Sequence, residues 1–312
     1  MTARGTSGVA YRPPPTGSMT GRVALVTGAT GGMGRVIVGE LARAGATVMA
    51  VCRSPERGEQ LRRDVAHRTG ADRVEVITGD LERQAEVREV AAQVLDRHDR
   101  LHVLLNNAGA HFPDQRPGPD GVERHVAVNH LAGFLLTQLL LPALQAGAPA
   151  RIVNVVSDAL NDTRTVKIGP RPRPATITPD QLGGIDHAKP TEVYGRSKLA
   201  SLMCGYLLAE RLAGTGVTVT ALHPGQVDTG IIDAFSTKLT APFLPTIRRL
   251  LLTPEQGAEP AIRLATDPAL EGATGTYYRR HEQRPTTPVS YDRALQERIW
   301  AASTRLIEAK SP

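Results

Sequence analysis

The stretch TGATGGMG, Thr27 to Gly34, decides the fold. It follows a short β-rich run, RVALVTG (22–28), and leads into a helical pattern, GRVIVGELARAG (34–45), with Val36, Ile37, Leu41 and Ala44 on one side. A glycine-rich turn between a strand and a helix is the setting in which a dinucleotide is held. Glycines permit the tight turn and the close approach of a pyrophosphate, and the free N–H groups and dipole of the helix start favour its negative charge. The bland alternative is a plain glycine-rich turn. The glycines fit two spacings, TGxxxGxG through Gly28, Gly32 and Gly34, or TGxxGxxG through Gly28, Gly31 and Gly34. The two belong to enzymes of different chemistry. On the first reading Gly28, Thr30, Gly32, Met33 and Gly34 line the cofactor.

The pattern repeats outward from this loop. TVMAVCR (47–53), RVEVITGD (73–80), LHVLLNNAG (101–109), RIVNVVS (151–157), VTVTALHPG (217–225) and GTYYR (275–279) read as strands. Between them lie helical patterns, one of which opens with Ser54 as N-cap and Pro55 at the first helical position. Alternating β and α with buried strands implies an α/β Rossmann-type, doubly wound parallel sheet with helices on both faces. Ligands on such sheets bind beyond the carboxyl ends of the strands. Hydrophobic residues make up 41% of the 312, enough for a core, but only 4% are aromatic, so that core is mostly aliphatic. One catalytic domain is expected over 20–312, after a Gly/Pro-rich, disordered tail at 1–19. Two long interruptions, about 158–190 and 230–253, are candidate substrate loops.

Composition excludes several functions. The net charge of +6 is dispersed, without a basic block or aromatic interleaving, which argues against nucleic acid. Cys52 and Cys204 are far apart and have no ligand spacing, so neither a disulfide framework nor a metal site is expected. The N-terminus lacks an apolar run, and LAGFLLTQLLLPALQAG reads as a buried helix and not a membrane span. The expected location is cytoplasmic.

The end of the second strand selects the nucleotide. An NAD site commonly has a carboxylate there for the ribose 2′-hydroxyl. Here Cys52 and Arg53 stand in its place. Nothing repels a 2′-phosphate, and a guanidinium can clasp it, so NADP(H) is expected. That phosphate must then rely largely on Arg53, with Arg35 nearby. Asp80, followed by Leu81, is placed to touch the adenine or to cap a helix.

The reactive end is VYGRSK. Tyr194 and Lys198 are four residues apart on a helical pattern and leave the same face. A neighbouring ammonium is expected to lower the tyrosine pKa, letting the phenol exchange a proton with a carbonyl or alcohol oxygen. Ser157, at the carboxyl end of its strand, can hydrogen-bond the same oxygen; a turn serine is the bland alternative. Asn129, in VAVNHLAGF, needs a reason to be buried: it holds a water near Lys198 or bonds a strand carbonyl.

TGATGGMG, NNAG (106–109), Asn129, Ser157, YxxxK (194–198) and HPG (223–225) occur in an order that resembles the short-chain dehydrogenase/reductase family, from about residue 20 to 280. AVCRS, DGVERHVAVNHLAGFLLTQLLLPAL and APARIVNVVS resemble its retinol-dehydrogenase-like branch. The resemblance implies a seven-stranded sheet and a catalytic set of Asn129, Ser157, Tyr194 and Lys198. Lys198 would also bind the nicotinamide ribose. Asn107, Ala108 and Gly109 would support the sheet and cofactor, and Pro224, Gly225, Val227 and Thr229 would contact the nicotinamide and phosphates. It also implies the TGxxxGxG reading, and dimer faces on the helices carrying Asn129 and Tyr194, hence a homodimer or homotetramer, although some relatives are monomers. The 37-residue step from Ser157 to Tyr194 exceeds that of simple members and is Pro- and Arg-rich, which leaves the substrate open.

The function expected is an NADP(H)-dependent carbonyl reductase, or the reverse alcohol dehydrogenase. Ile231, Ile232, Phe235, Leu239, Phe243 and Leu244 suggest a fairly apolar small molecule. Arg/Ala/Gly-rich usage is compatible with a bacterium of high genomic G+C, where such reductases often serve secondary metabolism, an association only. Rival readings are a sugar-nucleotide epimerase, for which too little chain follows the sixth strand, a non-catalytic NADP sensor or scaffold, and a reductase of an imine or activated C=C bond.

Overall fold

The structure, a computed structural model, describes residues 11–164, 172–228 and 251–308. The strands are β1 (Val23–Thr27), β2 (Thr47–Cys52), β3 (Val74–Thr78), β4 (Val103–Asn106), β5 (Ala150–Val155), β6 (Val217–His223), β7 (Thr276–Arg279) and β8 (Glu282–Gln283). They form one sheet in the order β3-β2-β1-β4-β5-β6-β7-β8. The first seven run parallel; β8 pairs antiparallel with β7. The seven implied strands are therefore present, and a two-residue hairpin return adds an eighth.

The helices are α1 (Gly32–Arg43), α2 (Pro55–Thr69), α3 (Gln84–Arg97), α4 (Arg124–Val126), α5 (Ala132–Ala146), α6 (Pro190–Arg211), α7 (Pro254–Thr266) and α8 (Arg293–Glu308). Strand residues alternate between two apolar layers, as the period of two requires. Ala24, Val26 and Leu105 face a core built with α1, α2 and α7. Leu25, Leu104 and Ile152 face the other, built with α3, α5, α6 and α8. Both faces are covered, as a parallel sheet demands.

The stretch Arg124–Ala146 has the length and apolarity of a membrane span, but 67% of its apolar window is buried inside the fold, as in a core helix. Residues 11–19, expected in a disordered tail, are fastened to the end of α1. Arg43 Nη2 donates to the Pro14 carbonyl at 2.7 Å, and Met19 N–H donates to the Ala44 carbonyl at 2.8 Å. Met19 is buried in the core, so an apolar anchor outweighs the local Gly/Pro composition. Strand order reverses between β1 and β4, which puts the glycine loop and NNAG at the switch point where ligands bind.

Candidate active site

The glycine loop is built for close approach. Gly28 adopts φ +65°, and a Cβ there would lie 3.0 Å from Ala108 Cα. A Cβ on Gly34 would run into the Gly28 carbonyl oxygen. On Gly31 it would meet only that oxygen, at an ordinary 3.4 Å. Packing therefore requires Gly28 and Gly34, which both spacings share, but not Gly31, on which only the TGxxGxxG reading depends. Gly31 caps α1 without a side-chain hydrogen bond, and the first turn holds no acid. The N–H groups at the start of α1 thus have no side-chain cap and no first-turn carboxylate to oppose an anion, so the loop fits a dinucleotide pyrophosphate. NNAG holds the loop in place. Asn107 Nδ2 donates to the Thr27 carbonyl at 2.9 Å, and the Asn107 and Ala108 N–H groups both donate to Thr27 Oγ1 at 3.0 Å.

Arg53 lies exposed just past β2 and makes no hydrogen bond or ion pair with a described residue. Arg35, expected nearby as a helper, is instead held by Asp64 at 2.9 Å. The second cation over the loop is Arg57, from the first turn of α2, whose Nη2 donates to the Thr30 carbonyl at 3.2 Å. Asp80 caps its own turn, with Oδ1 accepting from Glu82 N–H at 3.1 Å, and Arg83 is the N-cap of α3. Asp80 is thus a turn cap and not a helix cap, one of its two sequence readings, because the helix starts only at Gln84. Leu81 packs half-buried on the core. Beyond β6, Gly225 takes φ +102° and Val227 is buried against α7, so its side chain belongs to the core. Pro224 opens this turn. Thr229 and the apolar residues 231–244 lie outside the described residues.

The reactive residues converge beside the loop. Ser157 follows β5, and its Oγ accepts from Ala159 N–H at 3.2 Å. The same hydroxyl acts on the Tyr194 phenol and favours its ionised form, so Ser157 is both turn cap and tyrosine partner. Lys198 Nζ donates to the Val155 carbonyl at 3.0 Å and lies 5.9 Å from the Tyr194 ring centre. Two glycines make the convergence sterically feasible. A Cβ on Gly195 would come 2.7 Å from the Ala159 carbonyl oxygen, and one on Gly109 would come 2.9 Å from Lys198 Nζ.

Tyr194 and Lys198 are 6% and 3% exposed, and burial sets their protonation. It raises the Tyr194 pKa, against a lowering by the Ser157 hydrogen bond. This corrects the expected lowering by Lys198: at that separation the ammonium does not offset desolvation of a phenolate. Burial lowers Lys198 to about 8. The resting phenol is protonated, the state a proton donor requires.

Asn129 lies in a π-helical turn, Ala127–Leu131, where the ladder between α4 and α5 is widened. Its Oδ1 accepts from Ala110 N–H at 2.7 Å, and its Nδ2 donates to the Ala110 carbonyl at 2.9 Å and Ser197 Oγ at 3.1 Å. The side chain is thus satisfied by the loop after β4 and by α6, not by a strand carbonyl.

A family model described as short chain dehydrogenase matches residues 22–167. Retinol dehydrogenase 13 of Homo sapiens is 34% identical over 306 residues, 96% of this chain and 88% of that protein. The chain belongs to the short-chain dehydrogenase/reductase family. Within this family of dehydrogenases and reductases it is related to the retinol-dehydrogenase-like branch, as the sequence resemblance implies. A solved protein from Mycobacterium paratuberculosis is 28% identical with a TM-score of 0.71, covering 94% of this chain and 95% of that one. RhlG of Pseudomonas aeruginosa, solved as an NADP active-site complex, is 27% identical with a TM-score of 0.63, covering 86% and 99%.

Some short-chain dehydrogenase/reductase site features were not read from the sequence. His111 stands edge-on to Tyr194, 5.4 Å between ring centres, and burial with the nearby His125 lowers its pKa to about 4. His125 Nε2 accepts from Phe112 N–H at 2.9 Å while Nδ1 faces Glu123 Oε1 at 2.8 Å, which props the wall holding His111. Two histidines upstream of Asn129, in NNAGAH and VERHVAVN, were the available signal. The insertion is also more structural than a bare loop: Ala175, Ile177 and Leu182 are buried in the main core. Among the described residues no cluster could hold a metal ion.

Proposed function

We propose that this enzyme reduces a ketone or aldehyde with NADPH, the Ser157 and Tyr194 hydroxyls holding the carbonyl oxygen. The convergence of Ser157, Tyr194 and Lys198, with Lys198 Nζ 5.9 Å from the Tyr194 ring centre, beside an anion-ready glycine loop is the observation that carries the reading. Family membership and the NADP complex of RhlG support the oxidoreductase chemistry and the cofactor. NADPH, when bound, supplies hydride to the carbonyl carbon. Tyr194 donates its phenolic proton to the oxygen, and Ser157 orients that oxygen. Lys198 holds a positive charge beneath the phenol and meets the nicotinamide ribose. Asn129 fixes Ala110 and Ser197, which positions Lys198 between β5 and α6. Arg53 and Arg57 hold the 2′-phosphate. Asn107, Ala108, Gly109, Pro224 and Gly225 shape the cofactor cleft. The substrate has a fairly apolar body, and the enzyme works in the cytoplasm as a homo-oligomer. NADPH oxidation against a panel of ketones and aldehydes tests the activity. Turnover that appears only with a carbonyl partner is expected. NADPH binding without turnover of any panel member would instead favour the sensor reading.

A further inference from the structure

An open cleft adjoins the catalytic floor at the carboxyl ends of β6 and β7. Its lining includes Asp158, next to Ser157, together with Gly225, Gln226, Arg279, Arg280 and Arg284. Three arginines around one cleft need counter-charges. Asp158 serves Arg279 at 3.5 Å, and Glu282 pairs with Arg284. Glu259, the next acid behind the hairpin, faces His281 at 3.2 Å. Arg280 is left over: its guanidinium makes no hydrogen bond or ion pair with any described residue, and its Nε is buried without a partner.

The backbone fixes this arginine in place. Arg280 has φ +55°, a left-handed conformation that an arginine adopts at an energetic cost. Its N–H donates to the His223 carbonyl at 2.9 Å, which ties the residue to the end of β6. Its stem crosses the turn after β6, so that a Cβ on Gly225 would lie 3.6 Å from Arg280 Cδ. A strained backbone, a buried nitrogen lacking an acceptor and an uncompensated cation coincide at one residue of the cleft. Such a group is stabilised by an arriving anion that supplies the missing acceptor.

We infer that Arg280 is an anion subsite for the substrate: it binds a carboxylate or phosphate on the molecule whose carbonyl is held by Ser157 and Tyr194. This rests on the carbonyl-reducing reading above. The substrate class is then an oxo acid or oxo phosphate with an apolar body between its two ends. The guanidinium also sets the pose of the carbonyl, so it governs selection between substrates.

The test compares keto acids of graded length with their primary amides. Wild-type kcat/KM with NADPH should favour the acid of matching length by at least about tenfold, with the preference weakened by salt. Arg280→Asn tolerates the left-handed backbone and should reduce the acid-to-amide ratio at least about tenfold; Arg280→Lys should restore part of it. Calorimetric binding of the same acid to the enzyme–NADP+ complex should be lost in Arg280→Asn. This arm decides the subsite even if no ketone is turned over, an outcome that would remove only the reductase reading. An absent acid preference in both arms, or an Arg280→Asn defect confined to NADPH affinity, overturns the subsite.

Discussion

Arg53 and Arg57 are the two cations proposed to hold the 2′-phosphate. Arg57 reaches Thr30 from the helix after β2, and Arg53 stands exposed just past the end of β2. Each can give a charge-assisted hydrogen bond of roughly 1.5–3 kcal/mol to the 2′-phosphate. Arg53→Ala and Arg57→Ala should each lower the NADPH-over-NADH preference in kcat/KM by about ten- to a hundredfold, Arg53 more, with the double variant nearly indifferent. An intact preference in Arg53→Ala would show that the loop has been misread. Protonation gives a second residue-scale prediction. Lys198 is lowered to about 8, so it loses its charge as pH rises through that value, whereas Tyr194, raised by burial, stays protonated. The reduction rate should therefore hold below about pH 8 and fall above it; a flat profile from pH 7 to 10 would argue against a required ammonium. The placement of Arg53 was legible because a strand end is fixed by a local pattern. Arg57 was not, because its role depends on how α2 crosses the loop.

At the scale of elements, the site depends on how closely α6 approaches the chain leaving β5. Gly195 permits that approach, since any side chain there would press on the Ala159 carbonyl beside Ser157. Gly195→Ala should separate Ser157 from Tyr194, lowering kcat at least about tenfold, by the loss that a small misplacement brings to an oriented site. Cofactor affinity should hold, and fluorescence titration with NADPH alongside turnover separates the two effects. Strands and their order of chemistry were legible because period-two patterns and glycine turns are local. The π-helical turn at Asn129 was not, since Ala110 and Ser197, distant in sequence, stabilise the widened ladder. The insertion likewise hid its buried residues, Ala175, Ile177 and Leu182, among prolines and arginines. The anchored segment 11–19 was missed for a similar reason: its burial rests on three scattered residues, Tyr11, Pro14 and Met19.

Over the whole molecule, two buried histidines link stability to acid. Burial lowers His111 to about 4 and His130 to about 3. Both are neutral in the fold, while the unfolded chain protonates them as pH drops below about 6.5. The unfolded state then binds more protons, so stability is full above about 6.5 and is lost progressively as pH falls toward 4. Each contributes on the order of 3 kcal/mol across that window. His130→Gln should flatten the fall in thermal midpoint between pH 6.5 and 4.5, and an unchanged slope would remove the assignment. The doubly wound sheet brings the glycine loop, NNAG, Ser157 and the Tyr194–Lys198 helix to one edge, and the central claim is that this edge transfers hydride and a proton to a carbonyl. Turnover and NADPH affinity of Tyr194→Phe, measured together, test it most directly. The account predicts a loss of at least about a hundredfold in carbonyl-dependent NADPH oxidation with NADPH affinity retained. Undiminished turnover in that variant would contradict it.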